Sequence, residues 1–102
     1  MKAYTIVFEW STDDANGVDV EVFDSYEKAV ERFNAIIEDE SDNNISWAAD
    51  AFDENGEVRH GYELDCNEPF EDGEEHELWW NIQMKNDWYF HDSLELRILE
   101  VK

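Results

Sequence analysis

Carboxylates are the most abundant chemistry in this chain, and they are unevenly spaced. Residues 38–77 hold sixteen Asp and Glu against one base, Arg59, a local net charge of −15. The full 102 residues carry 28 acids and 7 Lys or Arg, or −21 at pH 7, whereas residues 78–102 are nearly balanced, with four acids and three bases. Two runs stand out: Glu38, Asp39, Glu40 and Asp42, then Glu71, Asp72, Glu74, Glu75 and Glu77. Carboxylates at this density suit Arg and Lys, with which they form short, charge-assisted hydrogen bonds. Beside the second run stand Trp79-Trp80 and Trp88-Tyr89-Phe90. An exposed indole face attracts the same cations that a neighbouring carboxylate pairs with, and Trp is enriched where interfaces concentrate their binding energy. The two acidic runs, with Trp79 and Trp88, are the candidate partner-binding residues.

Other chemistries find little support. A calcium loop of the EF-hand type needs Asp at position 1, Gly at 6 and Glu at 12. Gly56 at position 6 places Ala51 and Tyr62 at the ends, and Gly17 places Thr12 and Phe23 there, so both registers fail. His60, His76, His91 and Cys66 lack the paired spacing of zinc ligands. No Gly-rich phosphate loop or nucleophile elbow is present, and among 28 carboxylates a close pair carries no information. Cys66 reads as a small buried residue and His60 as a core or edge histidine. The sequence therefore points to no metal, no cofactor and no enzyme.

The elements that would position the acids are legible as periodicities. Tyr4, Ile6, Phe8 and Trp10 alternate as in a strand. Residues 11–17 end in Asn16-Gly17, a hairpin-turn signal, and Val18, Val20 and Val22 then alternate with Asp19 and Glu21 as a second, antiparallel strand with one wet face. Asp24 or Ser25 caps a helix with the apolar stripe Tyr26, Ala29, Val30, Phe33, Ile36 and Ile37. Glu38, Asp39 and Glu40 crowd its C-terminus, where the helix dipole disfavours anions, so helix stability does not explain them. Residues 41–44 read as a loop. Residues 45–52 suit either a strand or, through their alanines, a short helix; the turn signal at 53–56 favours a strand. A further strand carries Val58, His60, Tyr62 and Leu64 on one face. Residues 67–77 read as an exposed loop, Leu78, Trp80, Ile82 and Met84 as a strand, 85–87 as a turn, and Leu94, Leu96 and Ile98 as the last strand. The expected order is β-β-α-β-β-β-β: a single α+β domain over 1–102, one amphipathic helix on a mainly antiparallel sheet of five to six strands.

Composition sets the wider frame. With 42% hydrophobic residues, 15% aromatic and five Trp, the chain is rich enough in apolar residues to fold despite its charge. Lone Cys66 excludes an internal disulfide and fits a reducing compartment. The N-terminal apolar run is too short for a signal peptide, so a cytoplasmic location is expected. The sign of the charge opposes direct binding to nucleic acid or to an anionic membrane. Self-repulsion on this scale destabilises a compact state, and a cationic partner would offset it.

Duplex DNA carries one charge per about 1.7 Å of axis. A domain about 35 Å across therefore matches about twenty of those charges. In size, charge and single-domain pattern the chain resembles the small acidic proteins with which phages and mobile elements inhibit DNA-binding proteins. That resemblance implies an acidic protein-binding module, a DNA mimic that acts as a counter-defence or regulatory inhibitor on the basic site of a nucleic-acid-binding protein. The alternatives are an immunity or antitoxin-type inhibitor of a basic toxin, and a cytoplasmic adaptor whose charge serves only solubility or salt adaptation.

Overall fold

The computed structural model describes residues 1–42, 47–67, 74–86 and 89–101. Among these residues five strands and one α-helix follow in the order β1 (Lys2–Ser11), β2 (Asn16–Phe23), α1 (Tyr26–Glu40), a 3-10 helix (Trp47–Ala51), β3 (Tyr62–Cys66), β4 (Leu78–Met84) and β5 (His91–Glu100). The strands form one sheet in the order β2-β1-β5-β4-β3, antiparallel at every pairing. The α+β class, the single α-helix and the antiparallel sheet of five to six strands expected from the sequence hold, with five strands among the described residues in place of the six in the expected order.

Among the described residues, the sheet is covered on one face only. Ser25 caps α1, its hydroxyl accepting from the Lys28 N–H, and the helix lays Ala29, Phe33 and Ile36 against Tyr4 and Ile6 of β1 and Leu94 and Leu96 of β5. Each large side chain buried fully in this layer contributes about 1.5–3 kcal/mol. Tyr26 packs edge-on against Tyr4 at one end of the helix.

The strand expected over 45–52 is a 3-10 helix where the structure describes it, from Trp47 on. Buried Ala48, Ala49 and Ala51 explain the difference: their small side chains let this turn of backbone lie close over β4. It brings Trp47 to stack on Tyr62 and meet Phe90 edge-on, while Phe52 stacks on Trp80. The turn at 53–56 is present, with the Asp53 carboxylate accepting from the Asn55 and Glu57 N–H groups and Gly56 at φ +80°. Its flanks pair only at the isolated bridge Phe52↔Val58. The next strand therefore begins at Tyr62, and His60 is exposed in a turn rather than set in the core. Cys66 is exposed as well.

The first hairpin also differs from its sequence signal. Its turn is built on Thr12, whose hydroxyl accepts from the Asp14 and Ala15 N–H groups. Asn16 and Gly17 already belong to β2. Gly17 has a different purpose: a Cβ there would lie 2.6 Å from the Trp10 ring, which rests against it.

The larger surprise is the orientation of β2. Its register pairs Val18, Val20 and Val22 with Glu9, Val7 and Thr5, on the sheet face that α1 does not cover. The three valines are 57%, 59% and 66% exposed. Asp19 and Glu21 lie on the helix side, where the Arg32 Nε donates to Glu21 at 2.7 Å. The wet face of this strand is thus its valine face.

Among the described residues no helix is long and apolar enough to cross a membrane.

Candidate functional site

The described acids of the two runs lie at opposite ends of the sheet. Glu38, Asp39, Glu40 and Asp42 sit at the C-terminus of α1, beside the Trp10–Asp92 end of β1 and β5. Glu74, Glu75 and Glu77 precede β4 at the other end, where Tyr26 exchanges hydrogen bonds with the His76 backbone. The 15 residues of α1 separate the runs by roughly 22 Å at 1.5 Å per residue. Glu71, Asp72 and Trp88, with residues 43–46 and Asp87 of the expected loops and turn, lie outside the described residues.

Glu75 and Glu77 of the second run are engaged within the molecule. The Tyr4 hydroxyl donates to Glu75 Oε1 at 2.6 Å, and Lys2 reaches the same oxygen at 3.5 Å. The Tyr4 phenol is pushed up to about 12, first by this hydrogen bond, then by burial and by the charges of Glu75 and Glu100. Glu77 Oε2 accepts from the Ile98 N–H at 3.0 Å. Because Leu78 pairs with Leu96, this carboxylate extends the β4–β5 ladder by one step. Asn67 ties the other end of the loop to β4, through its backbone N–H to the Trp79 carbonyl and its side-chain oxygen to the Trp79 N–H.

Trp79 is where carboxylates and an accessible ring meet. Alternation along β4 buries Trp80 and leaves Trp79 40% exposed on the uncovered face, as the sequence indicated. Its register partner on β5 is Glu95, and its indole Nε1 donates to Asp65 of β3 at 3.4 Å. Two adjoining depressions share Asp65 and Asn81. One, of about 410 Å³, is lined by Glu77, Trp79, Glu95 and Arg97 besides these two. The other, of about 360 Å³, adds Glu63, Gln83, His91 and Ser93. Arg97 is occupied by Glu95, and Gln83 donates to Glu63 at 3.0 Å. The result is a shallow, acid-lined surface with one broad aromatic face, suited to guanidinium or ammonium groups.

Sequence reasoning missed Glu63 and Asp65 as companions of Trp79. Their alternation with Tyr62 and Leu64 shows that they share a face. Only the long-range pairing Asp65↔Asn81 shows that this is the face of Trp79.

A second cleft, of about 460 Å³, runs between α1 and the β1–β2 hairpin and is lined by Asp19, Glu21, Arg32, Asp39 and Glu40 over Ile6, Phe8, Val20 and Ile36. Asp92 lies close to its Glu40 end, between Trp10 of β1 and Ile82 of β4 in register. It is only 1% exposed, and among the described residues neither of its oxygens accepts a hydrogen bond. Burial, then the Glu40 carboxyl as hydrogen-bond partner and as like charge, push Asp92 up to about 9. It therefore holds its proton at neutral pH. Among the described residues no group of three or more His, Cys, Asp or Glu is placed to hold a metal ion.

Comparison with protein-family models, with curated proteins and with solved structures finds no match. The surface must be read from its own chemistry.

Proposed function

We propose that this protein is an acidic binding module for a basic protein, and that it acts as a DNA mimic by occupying surface its partner otherwise offers to nucleic acid. The observation that carries the reading is Trp79, exposed on an open sheet face between Asp65 and Glu95 in a chain of net charge −21. Carboxylates replace phosphates and release the anions held by a basic groove, and the indole adds contact that salt does not screen. The longest dimension, 42 Å, corresponds to about 25 duplex charges at one per 1.7 Å.

One observation favours a second reading. The described acids lie on both sides of the sheet and at both ends of the helix, as they would if charge served solubility alone. Capture of partners from nuclease-treated lysate at about 0.1 M and about 0.5 M salt separates the two, because screening differs strongly between these conditions. The mimic retains a basic nucleic-acid-binding protein at low salt and loses it to added duplex DNA. A partner indifferent to salt and DNA sinks the reading.

A further inference from the structure

The edge of the sheet at β2 offers more than charge. An edge strand presents a row of unpaired backbone N–H and C=O groups, which proteins usually blunt with Lys, Pro, bulges or brevity. β2 uses none of these four, and its protection is the charge of Asp19 and Glu21 on the helix side, which disfavours an acidic or apolar strand but pairs with a basic one. It runs eight residues in unbroken register from Tyr4↔Phe23 to Ser11↔Asn16, without Lys or Pro. Val18, Val20 and Val22 hold one side of it open to solvent. Its other side carries Asp19 and Glu21 and borders the cleft that ends in Asp39 and Glu40.

We propose that β2 is a docking edge for an extended segment of the basic partner, in which apolar and basic residues alternate. Its main chain would continue the sheet beyond β2. Its apolar residues would cover the valine row, and its Lys or Arg residues would lie over Asp19 and the cleft acids. Main-chain pairing supplies affinity in such strand addition, and alternate side chains supply specificity. A second copy of this chain fits poorly, because pairing β2 with itself sets acids beside acids on one face and joins two molecules of −21. This inference rests on the acidic-module reading and adds to it the partner's local chemistry.

The test uses two nine-residue peptides of the same Lys and Val composition with blocked ends. One alternates Lys and Val, and the other gathers them into two blocks. Binding to the intact protein is followed by calorimetry and by backbone amide shifts. Edge docking predicts that the alternating peptide binds about five- to tenfold tighter, since three cross-strand apolar pairs distinguish it, with shifts concentrated in 16–23. Val20→Asp separates edge docking from charge attraction. It makes the surface more acidic, so charge alone predicts equal or tighter binding, whereas loss of the valine row weakens it several-fold. The fold is monitored by circular dichroism, and Val20→Thr, which keeps the β-branched shape without the charge, serves as a second variant. Equal binding of both peptides, unaffected by Val20→Asp, overturns the docking edge and leaves the acidic module standing. Absence of binding by either peptide at about 0.05 M salt, where screening is weak, overturns both. A concentration-dependent dimer that protects the 16–23 amides also overturns the proposal, by showing that a second copy covers the edge.

Discussion

The two edge strands follow the same alternation and assign it in opposite ways. At β3, Glu63 and Asp65 face the open side, while Tyr62 stacks on Trp47 and Leu64 packs against the core. At β2, the valines face the open side and the acids face the helix. Pattern alone cannot choose between these arrangements; the covering element does. Over β3 and β4 the cover is Trp47 and Phe52, which need apolar neighbours. Over β2 the helix presents Arg32, which takes a carboxylate. One edge is therefore acidic on the surface where Trp79 lies, and the other is apolar there and acidic behind.

The sharpest break between the halves comes from truncating one apolar side chain in each. Trp80→Ala removes the buried partner of Phe52, and a cost of about 3–5 kcal/mol in urea unfolding is expected. Val20→Ala at the opposite edge is expected to cost well under that, about 1 kcal/mol or less.

Asp92 probes the end of the sheet where α1 stops. Its folded carboxyl holds a proton up to about 9, whereas the ordinary value is 3.8. Between these values the unfolded state binds fewer protons, so stability falls as pH rises, by on the order of 1 kcal/mol per unit, and levels off above the higher value. Asp92→Asn removes the ionisation. Melting curves from pH 5 to about 8.5, inside that window, are expected to show the variant losing less stability with pH than the parent.

At the other end, Tyr4→Phe deletes the hydrogen bond to Glu75 and is expected to lower the midpoint of the same unfolding experiment by less than Trp80→Ala does. The smallest effect is expected at the partly exposed Arg32–Glu21 pair. Glu21→Gln should cost about 0.5 kcal/mol or less, with the difference shrinking as salt rises.

Much of this architecture is local and therefore readable. The alternation of Tyr4, Ile6 and Phe8, the stripe from Tyr26 to Ile37, and the run Leu78, Trp80, Ile82 each name an element and its buried face. The outward direction of Trp79 follows from the inward direction of Trp80. What the sequence conceals depends on distant partners. Small alanines at 48, 49 and 51 satisfy a strand or a turn until Trp80 is known to lie beneath them. Gly17 resembles a turn residue until the Trp10 ring is placed against it. The acids of residues 38–77 look like one block in sequence, yet the length of α1 carries Glu38, Asp39, Glu40 and Asp42 to the far end of the sheet, and Glu75 and Glu77 are held by β1 and β5.

Under the proposed binding role, position and not charge alone sets the affinity of the Trp79 surface for a basic partner. Two charge-matched double variants test it against a basic partner captured at low salt: Glu63→Gln with Asp65→Asn on the open face, and Glu27→Gln with Glu31→Gln on the exposed side of α1. Each removes two negative charges. Affinity is expected to fall about tenfold or more for the first pair, equivalent to about 1.4 kcal/mol, and less than about twofold for the second. Equal losses from both pairs would contradict the claim and leave the charge as a general property of the surface.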